Sequence, residues 1–145
     1  MTASCFVDSN VLVYARDSSD PDKQERASLW IEALATTGAG RVSYQVLVEA
    51  YAALTRSHKP NMDRVAARTY VANFRHWRPR AMDLGTVAAA WHLQDRFGFN
   101  WWDCLIVAAA RLSECDYLLT EDLQHGQDLD GLVVLDPFAV APDAI

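Results

Sequence analysis

Four carboxylates, Asp8, Glu49, Asp103 and Asp122, stand where a plain solvent-facing acid is not expected. Asp8 closes the apolar run SCFVD and Asp122 follows the run YLLT, so each falls just after a predicted strand. Ligands of an open parallel sheet sit outside the carboxyl ends of its strands, which brings both acids to one edge. Asp103 shares i, i+3, i+4, i+7 spacing with Ile106, Val107 and Ala110 and so heads the inward stripe of a helix. Glu49 follows Val46 by three residues and precedes Ala53 by four, which puts it on the apolar side of its own helix.

Burying ionised carboxylates is costly unless they are paired, and neighbouring like charges raise one another's pKa. The two lysines, Lys23 and Lys59, are not placed by the sequence beside these acids, so a hard divalent cation with oxygen ligands is the economical counter-ion. Mg²⁺ or Mn²⁺ fits best. Each acid also has a bland reading: Asp8 as a helix cap, Glu49 as the partner of an arginine, Asp103 as a first-turn charge on the helix dipole, and Asp122 as an Asx-turn residue. The four together make the stronger case.

The elements that must position these acids can be read from pattern and punctuation. SCFVD predicts a first strand that leads into a short helix over SNVLVYA. Asp20 before Pro21 is an N-cap signal, and Ala27, Trp30, Ile31 and Leu34 recur at helical spacing until Gly38. RVS is a second strand candidate and YQVLVEAYAALTR a further helix. The next helix is expected to carry Met62, Ala66, Tyr70, Phe74 and Trp77 on one stripe, with Arg64, Arg68 and Arg75 elsewhere on its circumference. Asp83 and Asn100 each cap a later helix, Gly98 ends the first of these, and YLLT and LVVLD are the last strands. Short apolar strands alternating with helices predict an α/β fold with a mainly parallel sheet, helices on both faces and a helical pair inserted near the middle.

Composition narrows the function classes. At 145 residues the chain, 1–145, reads as one domain that can bury a core without staples. The three cysteines, Cys5, Cys104 and Cys115, lack zinc-type spacing, and reduced thiols in a cytoplasmic protein are the simple reading. No leader-like N-terminus and no run of eighteen apolar residues is present, so no membrane association is expected. A net charge of −6 argues against a general nucleic-acid coat. The charge is uneven, however: seven of the thirteen basic residues lie between Arg56 and Arg80, against the single acid Asp63.

The segments that carry the acids resemble those of PIN-domain nucleases, and within them the short toxin ribonucleases of the VapC type. The resemblance spans nearly the whole chain. It rests on FVDSNVLVYA with its Asp-x-Asn, on Glu49 in the helix after the second strand, on WWDCLIVAAA with Asp103, and on LLTEDL with Thr120 and Asp122. It implies a PIN-like three-layer α/β/α sandwich, one or two Mg²⁺ or Mn²⁺ ions, hydrolysis of RNA phosphodiester bonds (with two ions, to 5′-phosphate and 3′-hydroxyl ends), an antitoxin partner and a homodimer. It also implies that Asp8, Glu49 and Asp103 take the principal metal positions, that Asn10 and Thr120 support them, and that Asp122 is the fourth acid. Glu121 is adjacent and could serve in its place, since a one-residue shift in the turn would exchange the two.

A divalent ion in such a cluster acidifies water and neutralises charge on phosphoryl oxygens. An acidic site repels RNA, so another surface must attract the backbone, and Arg56, Lys59, Arg64 and Arg68 open the candidate basic stretch. Tyr70 and Trp77 could add stacking or belong to the core. The pair Trp101 and Trp102 reads as packing.

Rival enzymes lack their parts. Dehalogenase-like phosphatases want Asp-x-Asp and a later lysine, whereas the third position here is Asn10 and no lysine follows Lys59. Receiver domains need the same late lysine. A dinucleotide-binding turn needs glycines after strand one, and the nearest to Asp8 is Gly38. The four histidines offer no nucleophile-elbow partner for a serine or thiol hydrolase. The remaining alternative is a catalytically silent member of the same fold that binds RNA or protein.

Overall fold

The computed structural model describes residues 3–145. Strand β1 (Cys5–Val7) passes directly into helix α1 (Ser9–Tyr14), with Asp8 between them. Helix α2 (Pro21–Thr37) opens with the Asp20 side chain accepting from the Lys23 amide and closes at Gly38, whose φ of 71° is left-handed. Strand β2 is Gly40–Arg41, slightly upstream of the expected RVS. Gly40 packs under Trp77 so closely that a Cβ there would lie 2.5 Å from the indole ring. The serine of RVS is instead the cap of helix α3 (Tyr44–Thr55), accepting from the Val46 amide at 3.2 Å.

The basic helix is shorter than its expected stripe. Asp63 caps α4 (Arg64–Ala72), and the chain then tightens into a 3₁₀ turn, Asn73–Trp77. That start and that tightening turn Ala66 to solvent and put Ala67 inside, while Tyr70, Phe74 and Trp77 keep their inward places. Helices α5 (Leu84–Phe97) and α6 (Trp101–Leu112) are capped by Asp83 and Asn100. Strands β3 (Tyr117–Leu119), β4 (Asp128–Leu129) and β5 (Leu132–Leu135) complete the sheet.

The strand order is β2-β1-β3-β5-β4. All pairings are parallel except β4 with β5, an antiparallel edge hairpin that the sequence reading did not anticipate. Its turn is Asp130-Gly131, with φ of 56° and 104°. The residues of β1, and Leu118, Leu119 and Val134 of β3 and β5, are fully buried, and Cys104 to Ala110 of α6 are buried all round. A sheet covered in this way is the middle layer of the expected three-layer α/β/α sandwich. The order reverses between β1 and β3, so the crevice at their carboxyl ends is the topological switch point. No helix among the described residues is long and apolar enough to cross a membrane.

Candidate active site

Asp8 and Thr120 end the two strands that flank the switch point, and they meet there. The Thr120 hydroxyl donates to Asp8 Oδ2 at 2.9 Å, and the Ser9 amide donates to Asp8 Oδ1 at 2.7 Å. The Asp8 residue is only 5% exposed. Asn10, on the first turn of α1, extends this linkage: its Nδ2 donates to Thr120 Oγ1 at 3.3 Å and to Asp122 Oδ2 at 3.2 Å. Thr120 Oγ1 also accepts from the Asp122 amide at 3.1 Å. Asp8, Asn10, Thr120 and Asp122 thus form one hydrogen-bonded chain, with Asp8 at the buried end and Asp122 exposed at its mouth.

The helices deliver the other two acids, each with a neutral amide partner one turn earlier. Gln45 Nε2 donates to Glu49 Oε1 at 3.1 Å, and Asn100 Nδ2 donates to Asp103 Oδ2 at 2.7 Å. Both acids are half-buried. Sequence reading did not single out Gln45, although its i−4 spacing to Glu49 was visible, and it read Asn100 only as a cap. That capping role is real, since Asn100 Oδ1 accepts from the Asp103 amide at 3.0 Å. Asp8 likewise caps α1. The bland arginine partner for Glu49 is not found among the described residues.

These acids perturb one another. Burial, with Asp122 and Glu49 adding to it, pushes the Asp8 carboxyl up to about 7 against the lowering hydrogen bonds from Thr120 and Ser9. Glu49 is raised by burial and by Asp103 and Asp122. Asp103 is raised by burial and by Asp122, against its bond from Asn100. Among the described residues none of the four forms a salt bridge.

Oxygen donors, crowding of like charge and the lack of a protein cation suit a hard divalent ion. So does Asn10 Oδ1, a buried acceptor without a partner. The described residues do not present three acidic, His or Cys side chains already converged as an ion cage. Among the described residues, neutral amides alone hold the Glu49 and Asp103 carboxylates.

Lys23 comes to this edge, against the sequence expectation, but it binds Glu121: Nζ lies 2.7 Å from Oε2. Glu121 is therefore engaged elsewhere, while Asp122 bonds to Asn10. The basic residues Arg56 and Lys59 lie in the loop after α3, and Arg64 and Arg68 on α4; all four are exposed. Arg68 Nε donates to the Tyr51 hydroxyl at 3.2 Å, on the helix that carries Glu49. Tyr70 and Trp77 are not free for stacking. The Tyr70 hydroxyl donates to Leu12 O at 2.7 Å, and Trp77 is buried edge-on against Phe74. Trp101 packs against the core, but Trp102 is 64% exposed, so only half of that pair is packing.

Fold and site together define a three-layer α/β/α domain with a carboxylate cluster at the switch point of a parallel sheet. The chain belongs to the PIN-domain family, whose profile matches residues 5–127. Its fold is similar to a chain of a Klebsiella pneumoniae toxin-antitoxin complex, with a TM-score of 0.64 at 15% identity, covering 92% of this chain and 98% of that one. It is similar to the Mycobacterium tuberculosis sarcin-ricin-loop-cleaving toxin VapC20, with a TM-score of 0.61 at 18% identity over 82% and 90%. It is also similar to a chain of Rickettsia felis VapBC2 bound to promoter DNA, with a TM-score of 0.58 at 16% identity over 90% and 96%. Comparison with curated protein sequences yields no match.

Proposed function

We propose that this chain is a metal-dependent endoribonuclease that hydrolyses RNA phosphodiester bonds, and the toxin of a toxin-antitoxin pair. The observation that carries the reading is the gathering of Asp8, Glu49, Asp103 and Asp122 at the switch point of a PIN fold, with no protein cation bound to them among the described residues. The similar solved chains support it, since one is a sarcin-ricin-loop-cleaving toxin and two come from toxin-antitoxin assemblies. On this reading residues 1–145 act as one nuclease domain in the cytoplasm, as a homodimer restrained by a cognate antitoxin.

The four acids would hold Mg²⁺ or Mn²⁺. When bound, the ion supplies acidified water and positive charge toward the phosphoryl oxygens. The protein's part is placement. Thr120 and the Ser9 amide fix both oxygens of Asp8, so the most buried acid cannot turn away from the crevice. Asn10 ties Asp122 to the same chain of bonds. Gln45 and Asn100 orient Glu49 and Asp103 without cancelling their charge. Arg56, Lys59, Arg64 and Arg68 draw the RNA backbone toward a site that would otherwise repel it.

The test is incubation of the purified protein with total RNA and a transfer-RNA pool in Mg²⁺ or Mn²⁺, with EDTA and Asp8→Asn as controls. Discrete fragments that vanish in both controls are expected. Folded, antitoxin-free protein that cuts nothing would favour the catalytically silent binding module. Neutralising Arg64 and Arg68 is expected to flatten the salt dependence of RNA binding, by roughly 0.7 in log-log slope for each phosphate that is no longer neutralised. An unchanged slope would remove these residues from the RNA path.

A further inference from the structure

The turn after β3 offers two adjacent acids, and the molecule treats them differently. Asp122 bonds to Asn10, whereas Glu121 pairs with Lys23. This lysine is partly covered, with its side chain 34% exposed. Its Nζ lies 2.7 Å from Glu121 Oε2 and 3.4 Å from the Tyr14 hydroxyl, and it sits over the Tyr14 ring at 4.5 Å and the Phe138 ring at 4.9 Å. The two rings pack edge to face at 5.1 Å. Attraction to two aromatic faces adds to the ion pair in holding the ammonium group in place.

The box is itself anchored. Asp136 Oδ1 accepts from the Phe138 amide at 2.9 Å, and the Trp30 indole donates to Pro137 O and Val140 O at 3.1 and 3.0 Å. This gives the Asp-Pro-Phe segment a task, although it lies beyond residues 5–127 matched by the family. Three other stretches therefore converge on one lysine at the start of α2: the end of α1, the turn after β3 and the segment after β5.

We propose that Lys23 is a positioning residue that holds the Glu121 carboxylate aside, so that Asp122 is the acid this turn presents to the cluster. The inference rests on the divalent-metal reading of that cluster. Glu121 has one more methylene than Asp122 and sits next to it, so an unrestrained Glu121 can reach the same crevice. It would add a like charge and a competing ligand. Lys23 neutralises that competitor and fixes its direction. The selection of the fourth acid is thus made outside the site, by a charge held in an aromatic box.

The test uses the full chain as wild type, Lys23→Met, Glu121→Gln and the double variant, each also with Asp122→Asn, with folding checked by thermal melts. Mn²⁺ affinity is read by titration and RNA cleavage by rate. In the wild type, Asp122→Asn is expected to weaken Mn²⁺ binding roughly tenfold, and in Lys23→Met by less than about twofold, because Glu121 takes its place. Lys23→Met alone is expected to keep Mn²⁺ affinity yet cleave roughly tenfold more slowly. Adding Glu121→Gln is expected to restore cleavage to within about twofold of wild type, as is Lys23→Arg without it.

A cleavage loss that persists in the double variant would make Lys23 a structural residue only and overturn the proposal. So would equal dependence on Asp122 in both backgrounds. If the wild type binds Mn²⁺ through Asp8 yet cuts no RNA, the nuclease reading fails while the affinity arm still decides for or against Lys23. If it binds no Mn²⁺, both fall together.

Discussion

Acids at two ends of this molecule are handled in opposite ways. At the β4–β5 turn, Asp130 meets Arg96 at 2.8 Å, and Arg111 approaches it at 4.0 Å. At the switch point, Asp8, Glu49, Asp103 and Asp122 crowd together, and among the described residues no basic side chain forms a salt bridge to any of them. The chain has arginines to spend, since seven basic residues lie between Arg56 and Arg80 alone. Neutral donors serve the cluster instead: Thr120, Asn10, Gln45 and Asn100 orient carboxylates while leaving their charge uncancelled. Asp130 is an acid satisfied by the protein; the cluster acids are left without a protein cation among the described residues.

The largest effect that separates the two ends is expected at Asp103. Asp103→Asn keeps the bond to Asn100 possible and the helix cap intact, so the fold should persist while RNA cleavage falls by about 1,000-fold or more. Far-ultraviolet dichroism with a cleavage assay checks this, and undiminished turnover would remove Asp103 from the site.

Asp8 offers the next test, on stability. Its carboxyl is raised from 3.8 to about 7, so between these values the folded state holds a proton that the unfolded state releases. Stability from this residue is therefore fully present below about 4 and lost as pH rises through about 7, by up to about 4 kcal/mol if the whole shift is realised. In EDTA, Tm should fall from pH 5 to pH 8, Asp8→Asn should flatten that fall, and Mn²⁺ should reverse it at pH 8. A Tm that rises over this range with no effect of Asp8→Asn would contradict the buried, uncompensated charge.

The smallest effect belongs to the paired end. Arg96→Ala removes a half-exposed ion pair, so a loss of less than about 1 kcal/mol and unchanged cleavage are expected in denaturant titration and RNA assays. A large loss of activity there would erase the contrast between the two ends.

What could be read from the sequence was what is local. The caps Asp20, Asp83 and Asn100 and the stops Gly38 and Gly98 act within a turn of the helices they bound, and the structure places them as expected. The acids were visible because an acid on an apolar stripe or just past a strand breaks a local pattern. The Asp130-Gly131 hairpin went unread: Asp-Gly favours the positive φ values of such turns, but the two-residue strand before it gave no periodicity to notice. The choice between Asp122 and Glu121 was not legible. It depends on Lys23 and Phe138, which lie far from the turn in the chain and meet it only once the sheet has formed. For Trp77, read on the inward stripe, the contact that seats the indole ring is likewise remote, since the ring lies where a Cβ on Gly40 would stand.

The most direct test of the cluster is a crystal grown with Mn²⁺ and measured at a wavelength where manganese scatters anomalously. A peak bounded by carboxylate oxygens of Asp8, Glu49, Asp103 and Asp122, and missing from Asp8→Asn, is the expected result. Well-ordered crystals in saturating Mn²⁺ with no peak there, or with the cluster closed by a protein cation, would contradict a metal role for these acids.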